Sequence, residues 1–312
     1  MFPILLGLLA GIGLPVQTSA NTRLGRRLGT PWSASLVSFL VSLAFLLALL
    51  AVTGQLASPL TALRGQPLWL FTGGICGVIF LTGNIMLFPR LGRIQTVILP
   101  VTGQILMGIL IDHFGWLRAE QSRLSLTRLL GAILVVAGVI MVSTARAGGE
   151  HKAKDKEKAS YSLGLMLWRV FGVCAGMLSA VQTAANGALS RTIASPLWAS
   201  VISFVVGCIL LLILNLVLRL KPRQGKDSDA GNRPWWMWIG GFLGAAYILA
   251  NIHLSAIVCT GMTVIVLLTG STAGGVLIDQ LGLFGSPKKP VTLQKAAGLL
   301  LMLLGVGCIR LL

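Results

Sequence analysis

Acidic residues are scarce in this sequence, which has eight Asp and Glu against 25 Lys and Arg among 312 residues. Charged residues make up 11% of the chain, whereas a soluble globular domain carries about 25%. Hydrophobic residues make up 55%, and the mean hydropathy is +0.88. These values exclude a soluble protein and predict an integral membrane protein.

The sequence also lacks the motifs of several other classes. Its five cysteines include no CxxC pair, so neither a metal site nor a disulfide framework is predicted. It has no Gly-x-x-x-x-Gly-Lys-Ser/Thr motif for nucleotide phosphates. No clustered nucleophiles or metal ligands fall within the apolar segments, which argues against an intramembrane enzyme. We therefore expect no enzymatic activity, no cofactor and no metal.

Long apolar segments are what the chain has instead. Because a helix needs roughly 20 mostly apolar residues to cross the hydrocarbon core, we predict an all-α integral membrane protein with ten transmembrane helices. The predicted helices span 2–22, 33–53, 68–88, 92–112, 126–144, 166–188, 197–220, 235–256, 260–280 and 293–312.

The sequence contains an internal duplication. From Gln17 to Val41, 12 of 25 positions are identical to those 165 residues later, and from Pro67 onward the offset is 167. We therefore predict two five-helix repeats, 1–146 and 163–312, joined by a polar linker, 147–162. Because five is odd, the second repeat must enter the membrane inverted, as in many secondary transporters.

The distribution of basic residues is an independent indication of inversion. Of the 25 Lys and Arg, 17 lie in the odd-numbered connections and about six in the even-numbered connections and termini. Equivalent connections carry unequal charge, since three arginines follow predicted helix 1 and one follows predicted helix 6 (Arg23, Arg26, Arg27 and Arg191). The positive-inside rule then predicts a cytoplasmic linker and both termini outside. The +17 net charge is accordingly assigned to membrane orientation and not to nucleic-acid binding.

Duplicated amide side chains are the candidates for substrate binding. Gln17 and Asn21 are four residues apart and share one helix face, and they recur as Gln182 and Asn186. A second equivalent pair is Asn84 and Asn251, and His253 is an unpaired further candidate. Such amides are also common as interhelical hydrogen-bond partners. For the whole set we favour a polar central cavity, because polar groups within membranes usually face the bundle interior.

Asp112 and Asp279 are repeat-equivalent carboxylates at the ends of apolar segments. One interpretation is a helix-end residue that bonds to nearby donors. The other is a gating or proton-coupling carboxylate, one on each side of the membrane. The second interpretation requires burial that raises the carboxyl pKa.

Glycine pairs at four-residue spacing also recur, and such pairs let helices approach closely. They are Gly7 and Gly11, Gly172 and Gly176, Gly73 and Gly77, and Gly240 and Gly244.

Together with Val-Gln-Thr-x-x-Asn and the following Pro and Ser-Phe, these motifs resemble the YdcZ-like family of bacterial inner-membrane proteins, within the drug/metabolite transporter superfamily. The resemblance covers both halves. It implies a fused, antiparallel two-domain transporter in the bacterial inner membrane, and it implies no substrate.

The sequence therefore predicts a secondary active transporter, an exporter of a small polar or amphiphilic metabolite by alternating access, driven by a proton or other gradient. The alternative is a flippase for a lipid-linked or amphiphilic substrate. The expected partners are the lipid bilayer and a small-molecule substrate. The oligomeric state stays open, with a homodimer among the options.

Overall fold

The protein was analysed as a computed structural model that describes residues 2–57, 60–122, 125–144, 163–219, 235–283 and 291–311. Throughout these ranges the regular structure is helical, without strands. The α-helices are α1 (Phe2–Leu28), α2 (Pro31–Val52), α3 (Leu60–Leu63), α4 (Thr72–Phe114), α5 (Leu126–Thr144), α6 (Leu163–Ile193), α7 (Pro196–Val217), α8 (Ile239–Ile257), α9 (Thr260–Leu281) and α10 (Leu293–Leu311). Short 3₁₀ turns occupy Leu68–Phe71, Trp116–Arg118 and Trp235–Trp238.

Nine spans in the described ranges are long and apolar enough to cross a membrane. Helix α4 contributes two of them, Leu68–Leu87 (with the preceding turn) and Gln95–Phe114. The chain reverses direction between these two spans, because Leu87 and Leu99 both approach Gly172, and Arg118 lies 5.7 Å over the ring of Trp69. The apolar part of α10, Leu293–Cys308, is shorter than a full span. The prediction of an all-helical membrane protein is therefore confirmed at the level of class, and within the described ranges nine of the ten predicted spans have full-length candidates.

Two predicted boundaries need correction. Helix α1 continues to Leu28, so Arg23, Arg26 and Arg27 belong to its last two turns and not to a connection. Helix α6 likewise extends from Leu163 to Ile193 and places Arg191 in its last turn. Helices this long project beyond the hydrocarbon core, where arginine can remain hydrated. The predicted linker, 147–162, lies outside the described residues.

Equivalent helices of the two halves begin and end with equivalent capping residues. Thr30 and Ser195 are equivalent N-caps, whose hydroxyl oxygens accept hydrogen bonds from Ser33 N (3.1 Å) and Trp198 N (3.2 Å). A proline follows each cap, where its missing N–H costs nothing. At the other end, α4 and α9 stop at equivalent glycines, Gly115 and Gly282, with φ of 66° and 65°.

The equivalent helices α2 and α7 pack against each other in opposite directions. The start of α2 meets the end of α7, where Ser33 Oγ donates to Asn215 Oδ1 at 3.0 Å. In the middle, the rings of Phe39 and Phe204 meet edge to face with centroids 5.0 Å apart. Just beyond the end of α2, Trp198 Nε1 donates to the Gln55 carbonyl at 2.9 Å.

Helices α5 and α10 form a second antiparallel pair of equivalent helices. A Cβ added to Gly138 would lie 2.5 Å from the Gly298 carbonyl oxygen, and one added to Gly305 would lie 2.6 Å from the Gly131 carbonyl oxygen. Positions 131 and 298 are repeat equivalents, as are 138 and 305. Each of the two contacts is therefore the repeat equivalent of the other.

The remaining helices exchange partners between the halves. Helix α1 packs on α9, and its equivalent α6 packs on α4. A Cβ on Gly270 of α9 would lie 2.9 Å from the Leu8 carbonyl carbon, and one on Gly103 of α4 would lie 2.9 Å from the equivalent atom of Val173. Backbone therefore meets backbone at both crossings, which only glycine permits.

We expect Gly305→Ala to destabilise the protein because the added methyl would collide with the Gly131 carbonyl of α5. Overpacking of this kind costs about 1–3 kcal/mol. The matched control is Gly307→Ala, since a Cβ at this position of the same helix meets nothing within 4 Å. Thermal unfolding of the purified variants in detergent measures the difference. Equal melting temperatures for the two variants would show that α5 and α10 do not pack as described.

Candidate functional site

A small cavity lies at the centre of the helix bundle, next to the Phe39–Phe204 contact. Seven repeat-equivalent pairs supply 14 of its 16 lining residues. They are Leu14 and Ser179, Gln17 and Gln182, Ser38 and Ser203, Phe39 and Phe204, Gly77 and Gly244, Phe80 and Tyr247, and Leu81 and Ile248; Ser42 and Asn251 complete the lining. Both halves thus contribute equally to a single site.

The cavity is uncharged and narrow. Amides, hydroxyls and aromatic rings line it, and no ionisable Asp, Glu, Lys, Arg or His side chain is among the 16 lining residues. Its volume of about 60 Å³ holds about two water molecules. Small-molecule sites in proteins usually measure about 300–1,000 Å³. In the described conformation the cavity is therefore too small for a typical small-molecule ligand.

The duplicated amides reach the site across the boundary between the halves. Gln17 of α1 lies over Gly244 of α8, where an added Cβ would be 2.6 Å from Gln17 Nε2. Gln182 of α6 lies over Gly77 of α4 in the same way, at 2.7 Å from Nε2. At the other glycine of each pair, Asn21 Oδ1 occupies the side-chain position of Gly240, and Asn186 Oδ1 that of Gly73. The missing side chains at these four glycines leave space for amide side chains and do not serve contact between helix backbones.

Several amide atoms have no protein partner in the described part of the chain. Asn21 and Asn186 are each 1% exposed, and neither their Oδ1 nor their Nδ2 atoms make a hydrogen bond to described residues. The same is true of Gln17 Oε1. A buried polar group without a partner costs about 1–3 kcal/mol. The same cost therefore occurs at two repeat-equivalent positions, where apolar side chains would avoid it.

Asn251 is held in place at the edge of the cavity. Its Nδ2 donates to Thr183 Oγ1 at 3.1 Å, and the Thr183 hydroxyl donates in turn to the Ser179 carbonyl. The hydroxyl of Tyr247, one turn away on α8, also interacts with Asn251. The Asn251 carboxamide is thus fixed by the second half alone.

Four of the seven predicted amide and histidine positions do not line the cavity. Asn21 and Asn186 are buried against glycines beside it. Asn84 is half-buried and outside the lining, although its equivalent Asn251 is part of it. His253 is exposed on the outer face of α8, because a residue two positions from Asn251 points about 200° away around a helix. The prediction that all seven line one cavity is wrong for these four, and Gln17, Gln182 and Asn251 remain.

Asp112 lies apart from the cavity and caps a helix of the other half. It is 0% exposed, and its two carboxylate oxygens accept hydrogen bonds from Thr260 N and Gly261 N, each at 2.8 Å. These N–H groups begin α9, where a negative charge also favours the helix dipole. Arg128 Nη2 lies 3.4 Å from Asp112 Oδ2 and 2.8 Å from Cys259 Sγ.

Asp112 and Asp279 each lie beside a basic residue, and these two basic residues are themselves repeat equivalents. These pairs were not predicted from the sequence. Lys295 is the repeat equivalent of Arg128, and its Nζ lies 3.6 Å from Asp279 Oδ2. Lys295 is only 3% exposed. The signal is present in the sequence, since an acid is followed 16 residues later by a base in both halves.

Across the described ranges no three His, Cys, Asp or Glu side chains are grouped as a metal site would require.

Comparison with known proteins gives the family and the fold. The family model described as "Putative inner membrane exporter, YdcZ" matches residues 2–141 and again residues 167–308. A solved crystal structure of another protein superposes with a TM-score of 0.68 over 99% of this chain and 96% of that chain. At 15% identity it shows likeness of fold alone. No curated protein sequence matches the chain.

We expect Asp112→Ala to lower the melting temperature, because α9 loses its cap and Arg128 loses its carboxylate. Loss of an N-cap alone costs about 0.5–2 kcal/mol. The matched control is Glu120→Ala, which removes the same charge from an exposed position in the adjoining connection and should change stability by less than about 0.5 kcal/mol. Both are measured by thermal unfolding in detergent. If Asp112→Ala melts like the control, the carboxylate is not a structural cap.

Proposed function

The chain belongs to the YdcZ family of inner-membrane exporters, and from that premise we propose that it is a secondary active transporter whose substrate binds between two inverted halves. The central cavity is the observation that carries the proposal, because repeat-equivalent residues line it in pairs. Residues related by a two-fold axis meet each other only near that axis. A site on the axis can face either side of the membrane when the halves rock.

The antiparallel pairs support inversion of the halves. Helices α2 and α7 are equivalent and run in opposite directions, and so do α5 and α10. Two copies inserted with the same orientation would instead bring equivalent helices together in parallel. A two-fold axis in the membrane plane accounts for both pairs.

The chemistry of the lining favours an uncharged or zwitterionic polar substrate. Gln17, Gln182 and Asn251 each carry a donor and an acceptor group, and the Phe39 and Phe204 rings provide apolar contact. A cavity of about 60 Å³ must widen before such a substrate enters. We therefore assign the described conformation to a stage of transport at which the site is too narrow for the substrate. The energy would come from an ion or substrate gradient, since the sequence has no nucleotide-binding motif.

We propose a gating role for the duplicated ion pairs, Asp112 with Arg128 and Asp279 with Lys295. The first pair joins the end of α4 and the start of α5 to the start of α9. Opening the site on that side would have to separate these helix ends. An ion pair with two backbone hydrogen bonds would then hold that side closed.

The orientation proposal rests on the unequal distribution of basic residues. Arg–Trp contacts mark the membrane interface at both ends of the bundle, since Arg23 lies over Trp236 at the end of α1 and Arg118 lies over Trp69 at the opposite end, each 5.7 Å from the ring centroid. The odd-numbered connections carry 17 Lys and Arg against about six on the other side, and basic residues favour the cytoplasmic side. We therefore assign the side on which α1 ends to the cytoplasm, which places both termini outside the cytoplasm.

We expect Gln17→Ala and Gln182→Ala each to weaken transport by about tenfold, because a substrate group left unpaired costs about 1–3 kcal/mol. Asn84→Ala is the matched control, since it removes an amide that does not line the cavity. Transport is measured with purified protein in liposomes, against a substrate found by thermal-shift screening of polar metabolites. Normal transport by both glutamine variants would place the substrate elsewhere.

Labelling of intact cells with a membrane-impermeant maleimide tests the orientation. We expect Ala57→Cys, in the exposed connection after α2, to react from outside. Ala153→Cys, in the predicted linker, should react only after the cells are permeabilised. Both are made in a background without native cysteines, because Cys174 is exposed. Reaction of Ala153→Cys in intact cells would reverse the assignment.

A further inference from the structure

A second cavity of about 390 Å³ lies on the outer surface of the bundle, between α4 and α6. It is bounded by Leu99 of α4 and by one face of α6 from Met166 to Met177, and we call it the α4–α6 groove. It is an open surface groove, and its volume is several times that of the central cavity. It opens toward the membrane, not toward the centre of the bundle, since Met166 is 60% exposed and Val170 is 50% exposed.

The groove is apolar apart from one residue at one end. Arg169 is the charged lining residue, and the others are Leu, Met, Val and Cys. From Arg169 to Met177 the groove follows α6 for about 12 Å, at 1.5 Å per residue. It therefore runs from the beginning of the span Gly164–Ile193 toward the middle of the hydrocarbon core.

The guanidinium of Arg169 is exposed and largely uncommitted among the described contacts. Its Nε donates to Gln95 Oε1 at 3.0 Å, and arginine has four further N–H donors. No carboxylate of a described residue forms an ion pair with it. Next to it, Arg90 lies 4.0 Å over the ring of Trp168. This cation–π contact marks the depth of the membrane interface, where tryptophan is favoured.

We propose that the α4–α6 groove binds an anionic phospholipid, with its phosphate on Arg169 and the upper part of an acyl chain along α6. Arg169 at the interfacial end of the groove would bind the charged headgroup of such a lipid, and the apolar remainder of the groove would contact its acyl chain. Guanidinium binds phosphate through two parallel hydrogen bonds, which an ammonium group cannot reproduce. The exposed Arg169, at the end of a groove whose other lining residues are uncharged, supplies the charge complementarity.

The duplication provides an internal comparison. The positions equivalent to Arg169 and Arg90 are Ile4 and Ile257, so the corresponding surface between α1 and α9 has no cation at either place. The lipid site is therefore expected once per chain, on the α6 side only. It lies beside the crossing at which Gly176 of α6 packs against the backbone of Pro100 of α4. This inference does not depend on the substrate or on transport.

Native mass spectrometry of the full-length protein in detergent tests the proposal, with phosphatidylglycerol and phosphatidylcholine as probes. We expect the protein to retain one phosphatidylglycerol in preference to phosphatidylcholine. Arg169→Gln should reduce that preference about tenfold, because a hydrogen-bonded charge is lost, and Arg169→Lys should retain part of it. Arg26→Ala is the matched control, since it removes an exposed arginine from the end of α1, away from the groove, and should leave the preference unchanged.

A second variant tests the contribution of the groove while the charge of Arg169 is kept. Val170→Trp should fill the α4–α6 groove while Arg169 remains, and should lower phosphatidylglycerol retention. A normal melting temperature for this variant verifies that it is folded, and Val170→Phe serves in its place if it is not. Equal losses in Arg169→Gln and Arg26→Ala would show that only general surface charge attracts the lipid. Undiminished retention in the folded groove-filling variant, or equally strong binding of glycerol phosphate, would also overturn the proposal.

Discussion

The close backbone crossing of α1 with α9, and of α6 with α4, is the constraint on which the rest of the arrangement depends. At each crossing a glycine of one half lies directly against the backbone of the other, as Gly270 does with Leu8 and Gly103 with Val173. No hydrophobic effect drives helices together within lipid, so close packing has to do so. Since each first helix packs on the opposite half, neither half can complete its own packing. The central cavity lies between these two crossings as a consequence.

The same constraint determines how amides can occupy the centre. Gln17 and Asn21 project from α1 toward α8, and only glycines at positions 240 and 244 leave space for them. The buried Asn21 has no partner among the described residues and lowers stability. The equivalent Asn186 carries the same cost in the other half. Polar groups inside membranes are expensive and are usually functional, which is consistent with the proposed substrate site.

The repeat made part of this site predictable from the sequence. Duplicated residues are expected near an axis, and Gln17, Gln182 and Asn251 do line the cavity. The four-residue spacing could not show that Asn21 packs against Gly240, because that contact depends on the distance between α1 and α8. His253 lies two residues after Asn251, and the helical period turns it to the outer face of α8, away from the cavity. The burial of Lys295 beside Asp279 could not be predicted from the sequence, because it depends on tertiary packing.

The chain reverses at equivalent places in the two halves. In the second half, α8 ends at Ile257 and α9 begins at Thr260, where Asp112 caps it. In the first half, Leu68–Leu87 and Gln95–Phe114 lie side by side along α6, because Leu87 and Leu99 both approach Gly172. Asp112, at the end of the second of these spans, therefore ties the first half to the helix that follows the reversal in the second half. Under the proposed mechanism, separating these helix ends would break both hydrogen bonds of the cap and the ion pair with Arg128. The same contact would thus stabilise the fold and oppose opening on that side.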